Sequence, residues 1–473
     1  MTRKSSLLFI SIVLITGSLF ANITGWRTDN TGKYPDADPP LSWNREKNLV
    51  WKTPLPSSSN ATPVIAGDKI FVCSDTARLI CISKNNGKIL WQKNTEYKDV
   101  LPAEEYKKAQ ADMKKANEIS SKELKPLAAE HKALRKKMHS IRKQIKKEKD
   151  AEKKKRLQEQ IKPLKKQEKE LQKKMRPIHK KITPLRRLAK PKTHKVNGYS
   201  SPTPVTDGKH VYVLYCTGVA ACYDMEGNRK WARIIEKPAH GWGHSASPVL
   251  ADGKLIVHIR KLRALNPQTG EEIWSVSHGF SWGTPAVTTI NGLTILITPR
   301  GQVINPADGK ILIKKTGHLS YGTPVIENNS VYFIDEKGGK AIELSREADT
   351  LKAKTLWTNK PKRNRYYASS LVHDGLVYAI TRGRTFSIID AADGKIHLSR
   401  KLKLKGEPYP SITLAGKHIF VMSDKGTVKV LEPGRKYNEI SAFTIGTFRS
   451  CPVFEGTRVY VRTYKELLCF EKK

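Results

Sequence analysis

The chain has 473 residues, of which 38% are apolar, enough for a folded protein but too long for one ordinary core. Its 86 Lys and Arg against 44 Asp and Glu give a formal charge of +42. Residues 101–190 carry about +19 of it and the rest of the chain is basic throughout, so charge alone names no partner.

Residues 1–21 read as a secretory signal peptide: Arg3 and Lys4 precede an apolar run from Leu7 to Phe20, and Ala21 is a small residue at a plausible cut. The run is short for a transmembrane helix, no Cys follows it to carry a lipid, and no other segment reads as a spanning helix. Export predicts a periplasmic or secreted location in a bacterial envelope, where six cysteines can oxidise.

The lead runs from Gly25-Trp26-Arg27 through Pro39-Pro40-Leu41-Ser42-Trp43, and Asn48–Lys52 then has the pattern of a strand. Beyond it a unit of about 40 residues repeats. The first unit opens with Thr62-Pro63-Val64, turns at Ala66-Gly67-Asp68, alternates through Ile70–Val72 and Leu79–Ile82, and ends at Asn86-Gly87 with Trp91. Later openings are Thr203-Pro204, Ser247-Pro248, Thr284-Pro285, Thr323-Pro324, Ser369-Ser370, Ser411-Ile412 and Cys451-Pro452. Glycine is followed four residues on by a bulky apolar residue in Gly87/Trp91, Gly227/Trp231, Gly270/Trp274, Gly309/Ile313 and Gly394/Leu398. Four short strands per unit, joined by Gly, Asn and Asp turns, predict an all-β, eight-bladed β-propeller with four-stranded blades. The last unit supplies three strands, and Leu49–Lys52 is expected to complete it and close the ring.

Residues 98–195 interrupt the repeat after the first blade, with residues 22–97 before them and blades two to eight at 196–473. Over 101–190 the period changes to a heptad: Leu157, Ile161, Leu164, Leu171, Met175, Ile178, Ile182 and Leu185 descend, and Leu127, Leu134, Met138, Ile141 and Ile145 ascend. Folding back near Asp150–Ala151 pairs Ile145 with Leu157, Ile141 with Ile161, Met138 with Leu164, Leu127 with Met175 and Leu124 with Ile178. An antiparallel coiled-coil hairpin is predicted, kinked or locally broken at Pro126, Pro163, Pro177 and Pro184. Its Lys/Arg face is read either as a solvated exterior or as an arm for an anionic envelope surface, with peripheral membrane contact. Nucleic acid is not expected, because the chain is exported and carries no base-reading module.

The loops entering the innermost strands line one mouth of the tunnel. Two places before each opening stand Asn60, Ser201, Ser245, Trp282, Tyr321, Tyr367, Tyr409 and Arg449, with Trp242, His244 and Tyr366 close in sequence. The aromatic arc and its arginine suit a planar, sugar or extended peptide ligand, or else they wedge between blades and plug the tunnel. His240, His244, His278 and His318 recur near the entries without metal-ligand spacing and read as solvated loop histidines. No nucleophile–base pair, phosphate loop or paired-carboxylate motif stands out.

Cys81, Cys222 and Cys469 share one repeat position and read as small buried packing residues, and Cys451 takes the Thr/Ser place of the innermost strand. Cys73 and Cys81 face across a hairpin as a candidate disulfide, whereas Cys216 has no evident partner.

Arg263-Ala264-Leu265-Asn266 through Gly270 to Trp274, and Ile388-Ile389-Asp390 through Gly394, resemble the pyrroloquinoline-quinone-type β-propeller repeat. The class includes quinoprotein alcohol dehydrogenases and a non-enzymatic propeller subunit of the machinery that assembles outer-membrane β-barrels. The resemblance implies the fold strongly and the function weakly. The dehydrogenases place a vicinal Cys-Cys disulfide by the quinone, with calcium and a catalytic Asp. This chain has no vicinal pair and no assignable calcium site or base, so no catalytic residue, metal or cofactor is expected. The first expectation is a non-enzymatic envelope scaffold holding a protein partner. A quinone- and calcium-dependent dehydrogenase and a glycan-binding module are the alternatives.

Overall fold

In a computed structural model, residues 24–238 and 240–473 are described, so the signal peptide predicted at 1–21 lies outside the described residues. Among the described residues the strands assort into eight antiparallel sheets of four, one of them extended by a fifth, parallel strand from the lead. The first sheet runs outward through Val64–Ala66, Lys69–Ser74, Arg78–Ser83 and Ile89–Asn94. Leu49–Pro54 pairs antiparallel with Glu466–Glu471, which places Trp51 opposite Cys469, so the last sheet takes its outer strand from the start of the chain.

The repeat's glycine and tryptophan do not serve each other within one sheet. A Cβ on Gly87 would lie 2.6 Å from Trp51, and one on Gly227, Gly270, Gly309 or Gly394 would meet Trp91, Trp231, Trp274 or Trp357 as closely. Each tryptophan thus lies on the glycine turn of the next sheet. Its indole N–H donates to a carbonyl of that turn, as from Trp91 to Met225 at 2.9 Å and from Trp231 to Pro267 at 2.7 Å. Gly270 must take a φ of +72° and leave its Cβ space empty for the ring. Within a sheet the same tryptophans stand opposite a small third-strand residue: Cys81, Cys222, Cys469, Ala264 or Ala341.

At the centre, the opening residues join the sheets. Thr62 N–H donates to Thr203 Oγ1 at 3.0 Å, and the same bond repeats from Thr203 to Ser247, Ser247 to Thr284, Thr284 to Thr323, Thr323 to Ser369 and Ser369 to Ser411. Ser411 N–H donates to Cys451 Sγ at 3.3 Å, and Cys451 N–H to Thr62 Oγ1 at 3.1 Å. The cycle is closed, and its small polar side chains satisfy backbone donors that no strand partner reaches.

The lead crosses the far end of this ring. Thr24 exchanges backbone hydrogen bonds with Thr206, and Lys33–Tyr34 pairs in parallel with Leu414–Ala415. Trp43 then packs among Phe420, Phe443, Phe454 and Phe470 between the last two sheets in chain order.

The insert leaves the first sheet on the entry face, the face with the loops into the innermost strands. It forms α1 (Ala103–Ile119), a π-helical turn at Ser120–Leu124, α2 (Lys125–Lys147) and α3 (Ala151–Ile182). Met138, Ile141, Ile161 and Leu164 form one cluster, with Leu134, Ile145 and Leu157 against it. Leu124 and Ile182 cluster with Met175 and Ile178. Where a kink or local break was expected, Pro163 and Pro177 lie inside α3 without breaking it. The first leg instead widens into the π turn just before Pro126, relieving the clash of its ring with the preceding turn. The base is anchored by Tyr97, Ala109 and Leu188 on Val219, and by the Tyr97 hydroxyl donating to Thr217 O at 2.7 Å. Among the described residues no helix is long and apolar enough to cross a membrane.

Candidate functional site: an aromatic cup at the entry face

The entry loops surround a cavity of about 550 Å³. All eight positions read two places before the repeat openings line it, from Asn60 through Trp282, Tyr321, Tyr367 and Tyr409 to Arg449. The aromatics line this cavity as walls. Tyr367 stacks on Tyr409 at 4.7 Å between centroids, and Tyr321 meets Tyr367 edge-on at 4.9 Å. The Arg449 guanidinium lies 3.8 Å over the Tyr409 ring, a cation–π contact that orders both groups. Burial pushes the Tyr409 phenol up to about 12, so it stays neutral.

Other parts of the cup were not assigned to it from the sequence. Trp26 of the lead lines its floor, Arg365 its wall, and His240 stacks on Phe280 beside Trp282. The chain just past the insert is also wall: Val196 and Asn197 line the cavity. Asn197 Nδ2 donates to the carbonyls of Trp242 and His244 at 2.9 and 3.0 Å, and Asn60 Nδ2 to Val196 O at 2.9 Å. His194 stacks on Trp242 at 3.9 Å. The repeat period could not place Trp26, which lies in the lead before the first unit, nor Arg365 and His240, which stand off the shared register in loops between units.

Among the described residues, none that lines the cup is a carboxylate. Asp424 and Glu407 stand behind the cup, where they pair with Arg449 at 3.1 Å and Arg382 at 2.7 Å. Burial would raise the Glu407 carboxyl, but the Arg382 hydrogen bond and charge outweigh it and hold it below its usual range. Of the two lining arginines, Arg449 is answered by Asp424, whereas Arg365 brings its charge to the wall beside the Tyr367 hydroxyl at 3.3 Å. The cup's hydroxyl, amide and aromatic groups are a poor donor set for calcium, which takes six to eight oxygens with carboxylates among them. Among the described residues no cluster of three His, Cys, Asp or Glu has metal-binding geometry.

Two of the expected mouth residues belong elsewhere. His244 is fully buried and turned away from the cup, and Tyr366 lies in the core with its hydroxyl on Lys362 O. His244, His258 and His278 form a buried file with centroids 5.8 and 4.4 Å apart, so His244 and His278 are not solvated loop histidines. Burial holds His244 down to about 4, His258 well below its ordinary value and His278 below it as well.

The cysteines are all buried and free. Strand register sets Cys73 opposite Leu79 and Cys81 opposite Phe71, so the candidate disulfide is not formed. Cys216 does find a partner, donating its thiol to His244 O at 2.8 Å.

A family model described as outer membrane protein assembly factor BamB matches residues 41–102 and 258–405. No curated protein matches the chain. Among solved structures, BamB from Moraxella catarrhalis superposes with a TM-score of 0.53 at 11% identity, over 90% of this chain and 97% of that one. A europium-containing methanol dehydrogenase gives 0.53 at 11% identity, over 95% and 98%. Quinohemoprotein alcohol dehydrogenase from Comamonas testosteroni gives 0.51 at 11%, over 92% and 78%.

Proposed function

From a chain whose repeats are of the pyrroloquinoline-quinone-like propeller class, we propose a non-enzymatic scaffold of the bacterial cell envelope that grips a partner protein in its aromatic cup. In this reading residues 22–97 and 196–473 build an eight-bladed propeller, and 98–195 form a coiled-coil hairpin. The observation that carries it is the lining of the cup. Trp282, Tyr321, Tyr367 and Tyr409 with Arg365 and Arg449 offer stacking and cationic grip, and no lining carboxylate is available to accept a proton from a bound alcohol. Such a set holds a ligand and leaves its bonds alone. The match to the BamB model supports a protein-holding role. The basic arm gives a second contact: α3 has thirteen Lys and Arg against four Glu, suited to anionic headgroups or envelope polymer.

The test places a photo-crosslinking amino acid at position 321 and irradiates the native envelope. A discrete polypeptide adduct that disappears with Trp282→Ala is the expected result. The purified protein is also given the quinone and calcium, as the aromatic walls suit a planar quinone as well. A bound-cofactor spectrum with dye-linked alcohol oxidation, and no adduct, would replace the scaffold with a dehydrogenase.

A further inference from the structure

The lead buries a positive charge that no carboxylate answers. Arg27 is 0% exposed, and its one hydrogen bond runs from Nη2 to Ile412 O at 2.8 Å. Its Nε and Nη1 are buried without an acceptor. The acid nearest in sequence, Asp29, is exposed and accepts from the Thr31 N–H and hydroxyl at 3.0 and 2.6 Å. Arg462, equally buried, offers a contrast, because its terminal nitrogens reach the carbonyls of Thr463, Ser57 and Cys73. Burying an ionised guanidinium without such partners is strongly unfavourable.

The surroundings of Arg27 are built to keep it there. Arg27, Thr28 and Asn30 take φ of 52°, 65° and 74°, a left-handed turn that side chains disfavour. A Cβ on Gly32 would fall 2.4 Å from Arg27 Nη2, so only glycine leaves room for the guanidinium. The Tyr34 hydroxyl and Thr413 Oγ1 are also buried and unpartnered, and Thr413 adjoins the carbonyl that Arg27 grips. Burial keeps the Tyr34 phenol and the nearby Cys451 thiol protonated, so neither neutralises the arginine.

We infer that Arg27, with the Tyr34 and Thr413 hydroxyls, holds a small monovalent anion of the halide class at the floor of the tunnel. A compact, weakly hydrated ion suits two guanidinium N–H groups and two O–H donors sealed from solvent. A divalent oxyanion would overcompensate the single charge of Arg27. The ion neutralises the buried charge and so fixes the lead, whose Trp26 is the floor of the cup. The site stands whether or not the cup binds a protein.

The test melts the full-length protein in sodium chloride, bromide or gluconate at one ionic strength. Chloride and bromide are expected to raise the melting temperature by several degrees in a saturating manner, and gluconate is not. Crystals grown in bromide should show an anomalous peak beside Arg27. Arg27→Gln should abolish the halide effect, and Thr413→Val should weaken halide affinity several-fold while keeping the charge. Should Arg27→Gln not fold, the wild-type titration and Thr413→Val still decide. Coincident halide and gluconate curves, or bromide crystals with no peak at Arg27, would overturn the inference.

Discussion

The backbone N–H of Cys451 donates to Thr62 Oγ1 at 3.1 Å across 389 residues of chain, and this bond closes the central ring. The Cys451 thiol meanwhile accepts from Ser411 N–H at 3.3 Å, standing where seven other repeats have a hydroxyl. Thr62→Val keeps the shape and strips the acceptor, leaving a fully buried N–H unpaired. It is expected to cost about 1–3 kcal/mol in urea unfolding. Cys451→Ser restores the residue type already present at Ser247, Ser369 and Ser411, and should cost less than about 1 kcal/mol.

The cup's stacking surface should be separable from its fold. Trp282 and Tyr321 are half-buried wall residues with one side toward the cavity. Trp282→Ala with Tyr321→Ala is expected to abolish partner binding, read as loss of the crosslinked adduct with the probe moved to position 367. The thermal unfolding profile should stay cooperative. An adduct of unchanged yield would count against the arc.

The arm and the cup share a wall, so the place of a deletion matters. Removing 98–194 also removes Thr193 and His194, which hold Trp242 by a hydrogen bond at 3.1 Å and a ring stack. Removing only 128–174 joins two seam positions, Leu127 and Met175, and spares the wall. The shorter deletion is expected to leave the propeller and the crosslink intact while releasing the protein from envelope fractions at low salt. Salt should release the full-length protein in the same way. Unchanged fractionation would show that the basic face is only solvated.

The His244–His258–His278 file makes stability depend on acid. All three are held neutral by burial, with values below those of an unfolded chain, so unfolding takes up protons. Their contribution is complete above an unfolded histidine pKa of about 6.5. It is lost as pH falls toward about 4, the value for His244. Arg300 faces His258 and His278 and opposes their charging, while Glu236 favours that of His244. The unfolding free energy from urea titrations should fall steadily below pH 6.5, by about 3 kcal/mol in the acid limit for His244 alone. His258→Leu should flatten that slope whatever it does to stability at neutral pH.

What the sequence determined by itself was everything carried by period. Thr/Ser-Pro openings, glycine turns and alternating apolar residues set out the sheets. The heptad set the apolar pairs of the hairpin, since Ile141 and Ile161 do share a cluster. One register also found all eight entry positions of the cup, because identical units place identical offsets around one axis. Tertiary structure decided whatever joins one unit to another. The glycine–tryptophan motif looked local, yet Gly227 serves Trp91 of the sheet before it. Cys73 and Cys81 looked like a pair until strand register set each opposite an apolar side chain. Of the four histidines read as solvated, His240 and His318 are exposed but His244 and His278 are buried, since exposure depends on what the neighbouring sheet covers. The floor and one wall of the cup came from Trp26 and Asn197, outside the repeat. A periodic pattern records contacts that recur, and those two residues make theirs only once, where non-repeating chain folds back across the ring.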